Sequence, residues 1–223
     1  MKNRLKCLSL AVLMMVMSVT MLSGCGPKKP APEEAQAYVK AVLDLICTGD
    51  YDHTVELADV EEGKESEIRD LLISQVTESI SSQSSLNEEN AEKFAVFLVN
   101  AFKKANYTVG DAVAADDGGY DVTVSIRPLQ LFTGIDEELN AVLEERVAAE
   151  PDKIMAMSED EQTDYVMDIL LELLDKKIAD PKYDDAEEVI VHYGLIEGQN
   201  GVYGCSMEDG VKLGSKVFSS SGM

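Results

Sequence analysis

The 223-residue chain has no tryptophan, two histidines and four cysteines, and its 19 Lys and Arg are outnumbered by 42 Asp and Glu. Each shortage excludes something. A formal charge of -23 repels phosphate backbones and anionic surfaces, so no nucleic acid is expected as a partner. Two imidazoles, His53 and His192, and so few thiols leave little material for a Cys/His metal site, and no metal or cofactor is expected. With 45% hydrophobic against 27% charged residues the chain can bury a core, which excludes intrinsic disorder throughout. The apolar run that stands out is near the start, from about Leu8 to Leu22.

Lys2, Arg4 and Lys6 precede that run, which closes on Leu22-Ser23-Gly24-Cys25. This is the layout of a secretory signal peptide. The run carries Ser9, Ser18 and Thr20 and is short for a hydrocarbon core of about 30 Å, which disfavours a retained transmembrane helix. Its ending resembles the lipobox of bacterial lipoproteins. The resemblance implies that residues 1–24 are cut away and that Cys25, lipidated on sulfur, becomes the first mature residue. Cleavage there removes three basic residues and no acidic one, which takes the charge from -23 to -26 and leaves 199 of 223 residues. Residues 25–32, with Gly26, Pro27, Lys28, Lys29, Pro30 and Pro32, read as a short extended tether, and 33–223 as one extracytoplasmic domain held at the cell membrane.

From Glu33 the period is helical, with Ala35, Tyr38, Val39, Val42, Leu43 and Ile46 on one stripe and Gly49 as a stop. A weaker helical piece covers about Val55 to Val60. A third spans about Glu65 to Gln83, and Ser85 with Glu88 suggests a capping box for a fourth, with Phe94, Leu98 and Phe102 inward. The period then becomes two. Tyr107-Thr108-Val109 and Tyr120 to Ile126 flank Asp116-Asp117-Gly118-Gly119, a β-hairpin with turn residues that tolerate unusual backbone angles. Two helices follow, about Asp136 to Ala149, ended by Pro151, and one opened by Ser158 and Glu161 and carried to Asp180-Pro181. Strands Glu188 to Ile196 and Val202 to Met207 around Gln199-Asn200-Gly201 form a second hairpin that closes the chain.

A lone hairpin is marginal. The expected fold is therefore α+β, with both hairpins joined in one four-stranded antiparallel sheet and the amphipathic helices packed on it. Two small domains divided near Gly134 are the alternative. The lipobox, the proline-containing tether, the first helix ending in Cys47-Thr48-Gly49-Asp50-Tyr51 and the strand Tyr120-Asp121-Val122-Thr123-Val124 resemble small lipoproteins of Gram-positive bacteria, some with cystatin-like or nuclear-transport-factor-2-like domains. The helix pair between the hairpins departs from the usual order of such domains. The resemblance implies an envelope protein and transfers one functional residue, Cys25.

No catalytic constellation is expected. His53 lies in a polar connection and His192 at an alternating strand position, and no nucleophile-elbow pattern accompanies them. Asp180, Asp184, Asp185, Glu187 and Glu188 cluster in sequence, yet without the alternating ligands and distal glutamate of a calcium loop they read as a solvated charge run that binds calcium weakly at most. Once Cys7 is removed and Cys25 lipidated, Cys47 and Cys205 remain. They admit one disulfide, or Cys47 stays a buried thiol beside Ile46. Two function classes follow: a non-catalytic binding or scaffolding module for an envelope protein or ligand, or an extracytoplasmic enzyme with scattered carboxylates in a pocket.

Overall fold

The computed structural model describes residues 30–47, 65–84, 86–196 and 202–219. In chain order the elements are α1 Pro32–Cys47, α2 Glu65–Gln83, α3 Glu88–Phe102, β1 Asn106–Ala114, β2 Tyr120–Arg127, α4 Ile135–Ala149, α5 Pro151–Met155, α6 Glu159–Ala179, β3 Glu187–Leu195, β4 Tyr203–Cys205 and α7 Met207–Val217. The class is α+β, as expected. The four strands form one antiparallel sheet in the order β1-β2-β3-β4, so the two hairpins meet through the β2–β3 ladder.

Alternation along β2 sends Val122, Val124 and Ile126 into the core and Asp121, Thr123 and Ser125 to the opposite face. Val189, Val191 and Tyr193 of β3 continue the buried set. Over that face lies α1, which packs across β1 and reaches β2 and β3, while α7 covers β3 and β2. The remaining helices pack on one another: α2 on α3, α3 on α6, and α6 on α4. One apolar cluster runs through these packings, from Leu43 and Ile80 through Leu98, Leu131 and Leu174 to Leu213.

Three local differences from the sequence expectations have physical causes. At the start of α3 the cap is Asn87, whose side chain accepts the Asn90 N–H at 2.9 Å, two positions after the expected Ser85, which lies outside the described residues. Asparagine is among the best N-caps, and it sits directly before the first helical residue. Pro151 does more than stop α4. Its ring fixes the backbone angle that a first helical turn needs, and the short helix α5 begins on it. The final strand stops at Cys205 rather than running to Met207, and a helix follows where none was expected. Ser206 caps α7 by accepting the Asp209 N–H at 3.1 Å. Leu213 and Val217 of α7 are buried, and Phe218 beyond it meets Phe102 and Phe132 with ring centroids 5.0 and 5.6 Å apart. The backbone of Leu129 then ties the chain end down, donating to the Val217 carbonyl and accepting from Ser219, each at 2.8 Å.

Residues 1–29, which include Cys25, lie outside the described residues. So do His53, the helical piece at 55–60 and the Gln199-Asn200-Gly201 turn.

Candidate functional site

The β2–β3 register sets Asp121 opposite His192, Thr123 opposite Ile190 and Ser125 opposite Glu188, on the face that α1 and α7 leave open. On β1 the register shifts between Val109 and Ala112, after which Val113 pairs with Asp121. A row Val113, Asp121, His192 therefore crosses three strands. Val113 is 65% exposed and Ile190 59%, two large apolar side chains on one open surface.

At one end of this surface His192 is held from both sides. Its Nδ1 lies 2.8 Å from Asp121 Oδ1, and its Nε2 lies 3.0 Å from Asp117 Oδ2. Asp117 comes from the β1–β2 turn, where its other oxygen accepts the Gly119 N–H at 2.9 Å. Gly118 takes a φ of 91°, the left-handed conformation that the turn needs. The ring fills the space a side chain would occupy on two neighbours: a Cβ on Gly119 would stand 2.8 Å from the imidazole and 2.7 Å from the Tyr193 carbonyl, and one on Gly194 only 2.5 Å from Nε2.

The electrostatics follow from this geometry. The hydrogen bond with Asp121, and then the charges of Asp117, Asp121 and Asp209 of α7, raise the His192 pKa against a smaller opposing effect of desolvation. Asp117 moves down, first through the Gly119 N–H and then through His192. The arrangement stabilises an imidazolium between two carboxylates. A general base needs a free nitrogen within reach of a substrate proton, and here both nitrogens face acids.

Two clefts lie elsewhere, on the helices. Between α2 and α3 a cleft of about 640 Å³ is lined by Asp70, Glu78, Glu88 and Glu92 above Ile73 and Val96. A second, about 620 Å³, lies between α3 and α6 and shares Glu92 and Val96. Neither contains a histidine. Lys93, at the edge of the second, is paired with Glu89 at 3.0 Å.

Two acids of the run after α6 are taken up by protein donors. Asp184 accepts from Gln130 at 2.5 Å and from the Ser219 hydroxyl, and Glu187 pairs with Lys216 of α7. Among the described residues, no three His, Cys, Asp or Glu side chains are grouped so as to hold a metal ion.

Cys47 and Cys205 are both free thiols, and burial pushes each up to about 12. Cys205 sits by Tyr38, whose hydroxyl would meet a Cβ placed on the adjacent Gly204 at 3.4 Å. Cys47 is nine residues farther along α1, roughly 13 Å of helix rise, and helical side chains lean toward the N-terminus, so Tyr38 reaches away from it. The disulfide admitted by the sequence is not formed, because Cys205 lies by the middle of α1 while Cys47 is its last residue. The clasp itself was missed. Asp117 reads as a turn residue and His192 as a strand residue, and their meeting depends on a strand pairing that neither local pattern records.

No known family model matches the chain, and no curated protein matches it. Among solved structures the fold is similar to the crystal structure of YcdA from Bacillus subtilis subsp. subtilis str. 168, a proposed lipoprotein, with a TM-score of 0.58 and 14% sequence identity. The match covers 83% of this chain and 56% of YcdA, so this chain spans little more than half of that neighbour. At that identity the likeness is one of fold. Among the described residues no helix is long and apolar enough to cross a membrane.

Proposed function

We propose that this protein is a lipoprotein anchored through Cys25 on the outer face of the cell membrane, and that its folded domain is a non-catalytic binding module for an envelope protein or ligand. The open face of the sheet is its recognition surface. The observation that carries this reading is the pairing of that face with the clasp: Val113 and Ile190 are exposed on a surface where His192 has both ring nitrogens against carboxylates. Exposed apolar side chains on a rigid sheet suit contact with another surface, while a doubly engaged imidazolium is poorly placed to move protons. The lipobox-like Leu22-Ser23-Gly24-Cys25 supports the anchor, and the fold shared with YcdA, itself a proposed lipoprotein, agrees with it.

A photocrosslinking residue at Ile190, introduced in intact cells, tests the reading against the same residue at Met155, which is 83% exposed on α5. The expected result is an adduct of defined mass from position 190 alone, lost when Thr123→Arg places a bulky charge beside it. The same adducts from both positions, or adducts indifferent to Thr123→Arg, contradict the open face as the recognition surface.

A further inference from the structure

The point at which the chain enters the fold determines which end of the molecule meets the bilayer. Tyr120, the first residue of β2, donates its hydroxyl to the Pro30 carbonyl at 2.9 Å. The start of α1 is thus pinned at the end of the sheet that carries the β1–β2 turn. A second contact holds it there. Tyr38 of α1 lies against Tyr193 with ring centroids 4.9 Å apart, and Tyr193 is the partner of Tyr120 across the β2–β3 ladder.

Five peptide units separate Cys25 from Pro30. A fully extended chain covers at most about 3.6 Å per residue, a reach of about 18 Å. The sheet is longer than that. From Tyr120 to Arg127 the strand rises roughly 23 Å, so the end at which Asn106 pairs with Arg127 is separated from the tether by more than the tether's own reach.

We propose that the turn end of the sheet is a membrane-facing surface whose partner is the phospholipid bilayer. The domain stands on this end with its strands rising from the membrane, so the open face of the sheet is turned sideways into the envelope. This inference rests on the lipidation of Cys25 proposed above. The side chains at that end fit a shallow contact. Leu195 ends β3 two residues past Tyr193, so it projects beyond the start of β2, and it is 61% exposed. Glu33 and Glu34 at the start of α1 and Asp116 and Asp117 in the β1–β2 turn add exposed negative charge at this end, which opposes deeper insertion and repels anionic headgroups. Lys28 and Lys29 of the tether supply a weaker attraction of opposite sign.

The experiment uses full-length lipidated protein reconstituted in phosphatidylcholine vesicles that contain a headgroup nitroxide lipid. A fluorophore is attached to Asp116→Cys in the turn or to Asn106→Cys at the far end. Quenching several-fold stronger at 116 than at 106 is expected, and a twelve-residue Gly/Ser insertion after Lys29 should erase the difference, because the lengthened tether spans the sheet. Flotation of the same vesicles separates the two ideas. Protein that floats yet is quenched equally at both positions, or more at 106, overturns the orientation alone. Protein that does not float overturns the anchor and the orientation with it.

Discussion

His192 Nδ1 lies 2.8 Å from the carboxylate of Asp121, its direct partner across the β2–β3 ladder, although 71 positions separate the two in sequence. With Asp117 on the other nitrogen, one imidazole ring fastens the β1–β2 turn to β3. This link has a definite pH signature. The folded pKa of His192 is raised, so its stabilisation is fully present below the unfolded value and is lost as pH rises through the raised folded value. Asp117 has the opposite sign: its folded pKa is depressed, and its contribution is lost as pH falls through that depressed value. The melting temperature of the wild type should therefore fall relative to His192→Gln as pH rises from about 6. Thermal melts of both proteins across this range check it, and parallel profiles would show that the clasp contributes nothing.

The glycines around the ring should differ in cost. Gly119→Ala drives a Cβ to 2.7 Å from the Tyr193 carbonyl, a backbone atom that cannot swing aside, whereas Gly118→Ala meets open space and only a φ of 91°. Overpacking of this kind costs about 1–3 kcal/mol, and a left-handed backbone at an alanine about 1–2 kcal/mol. Urea denaturation should rank Gly119→Ala as the less stable. A neutral Gly119→Ala would mean that the turn and β3 are not held this closely.

A second polar link lies under α1. Asp44, buried on the helix, accepts the Tyr107 hydroxyl of β1 at 2.5 Å and also pairs with Lys40. Tyr107→Phe removes a donor from a buried carboxylate, which typically costs about 1.5–3 kcal/mol. Lys40→Ala should cost less, since that lysine is mostly exposed. Equal losses in the two variants would contradict this ranking.

Both remaining thiols should be inert while the protein is folded. Cys47 and Cys205 are held as thiols by burial, and only the thiolate reacts quickly. A domain beginning after Cys25 should react with no equivalent of a thiol reagent at pH 8 when native and with two when unfolded without reductant. Rapid native labelling would contradict the burial, and no labelling of the unfolded protein would reveal a disulfide.

Elements whose signals are local were legible in the sequence. Ser158 and Glu161 form the reciprocal cap of α6, with the Glu161 N–H donating to Ser158 Oγ at 3.3 Å and the Ser158 N–H to the Glu161 carboxylate at 2.8 Å. The first hairpin was legible because its alternation and its Asp-Gly turn agree. Helix α7 was not. Val202 to Met207 reads as a strand, and the buried Gly210 and Gly214 leave Leu213 and Val217 as a thin apolar stripe. The Ser206–Asp209 cap was the signal available. The clasp was illegible for a different reason, since Asp117 and His192 meet only after two hairpins have paired.

The most direct test of the account is fatty-acid labelling of cells that express the full chain, followed by intact mass of the mature protein. The account predicts that the wild type carries the label at a mature N-terminus of Cys25 and that Cys25→Ala carries none. A wild type that stays unlabelled, with its mature N-terminus elsewhere, would contradict the lipid anchor on which the proposed function and the orientation of the domain both rest.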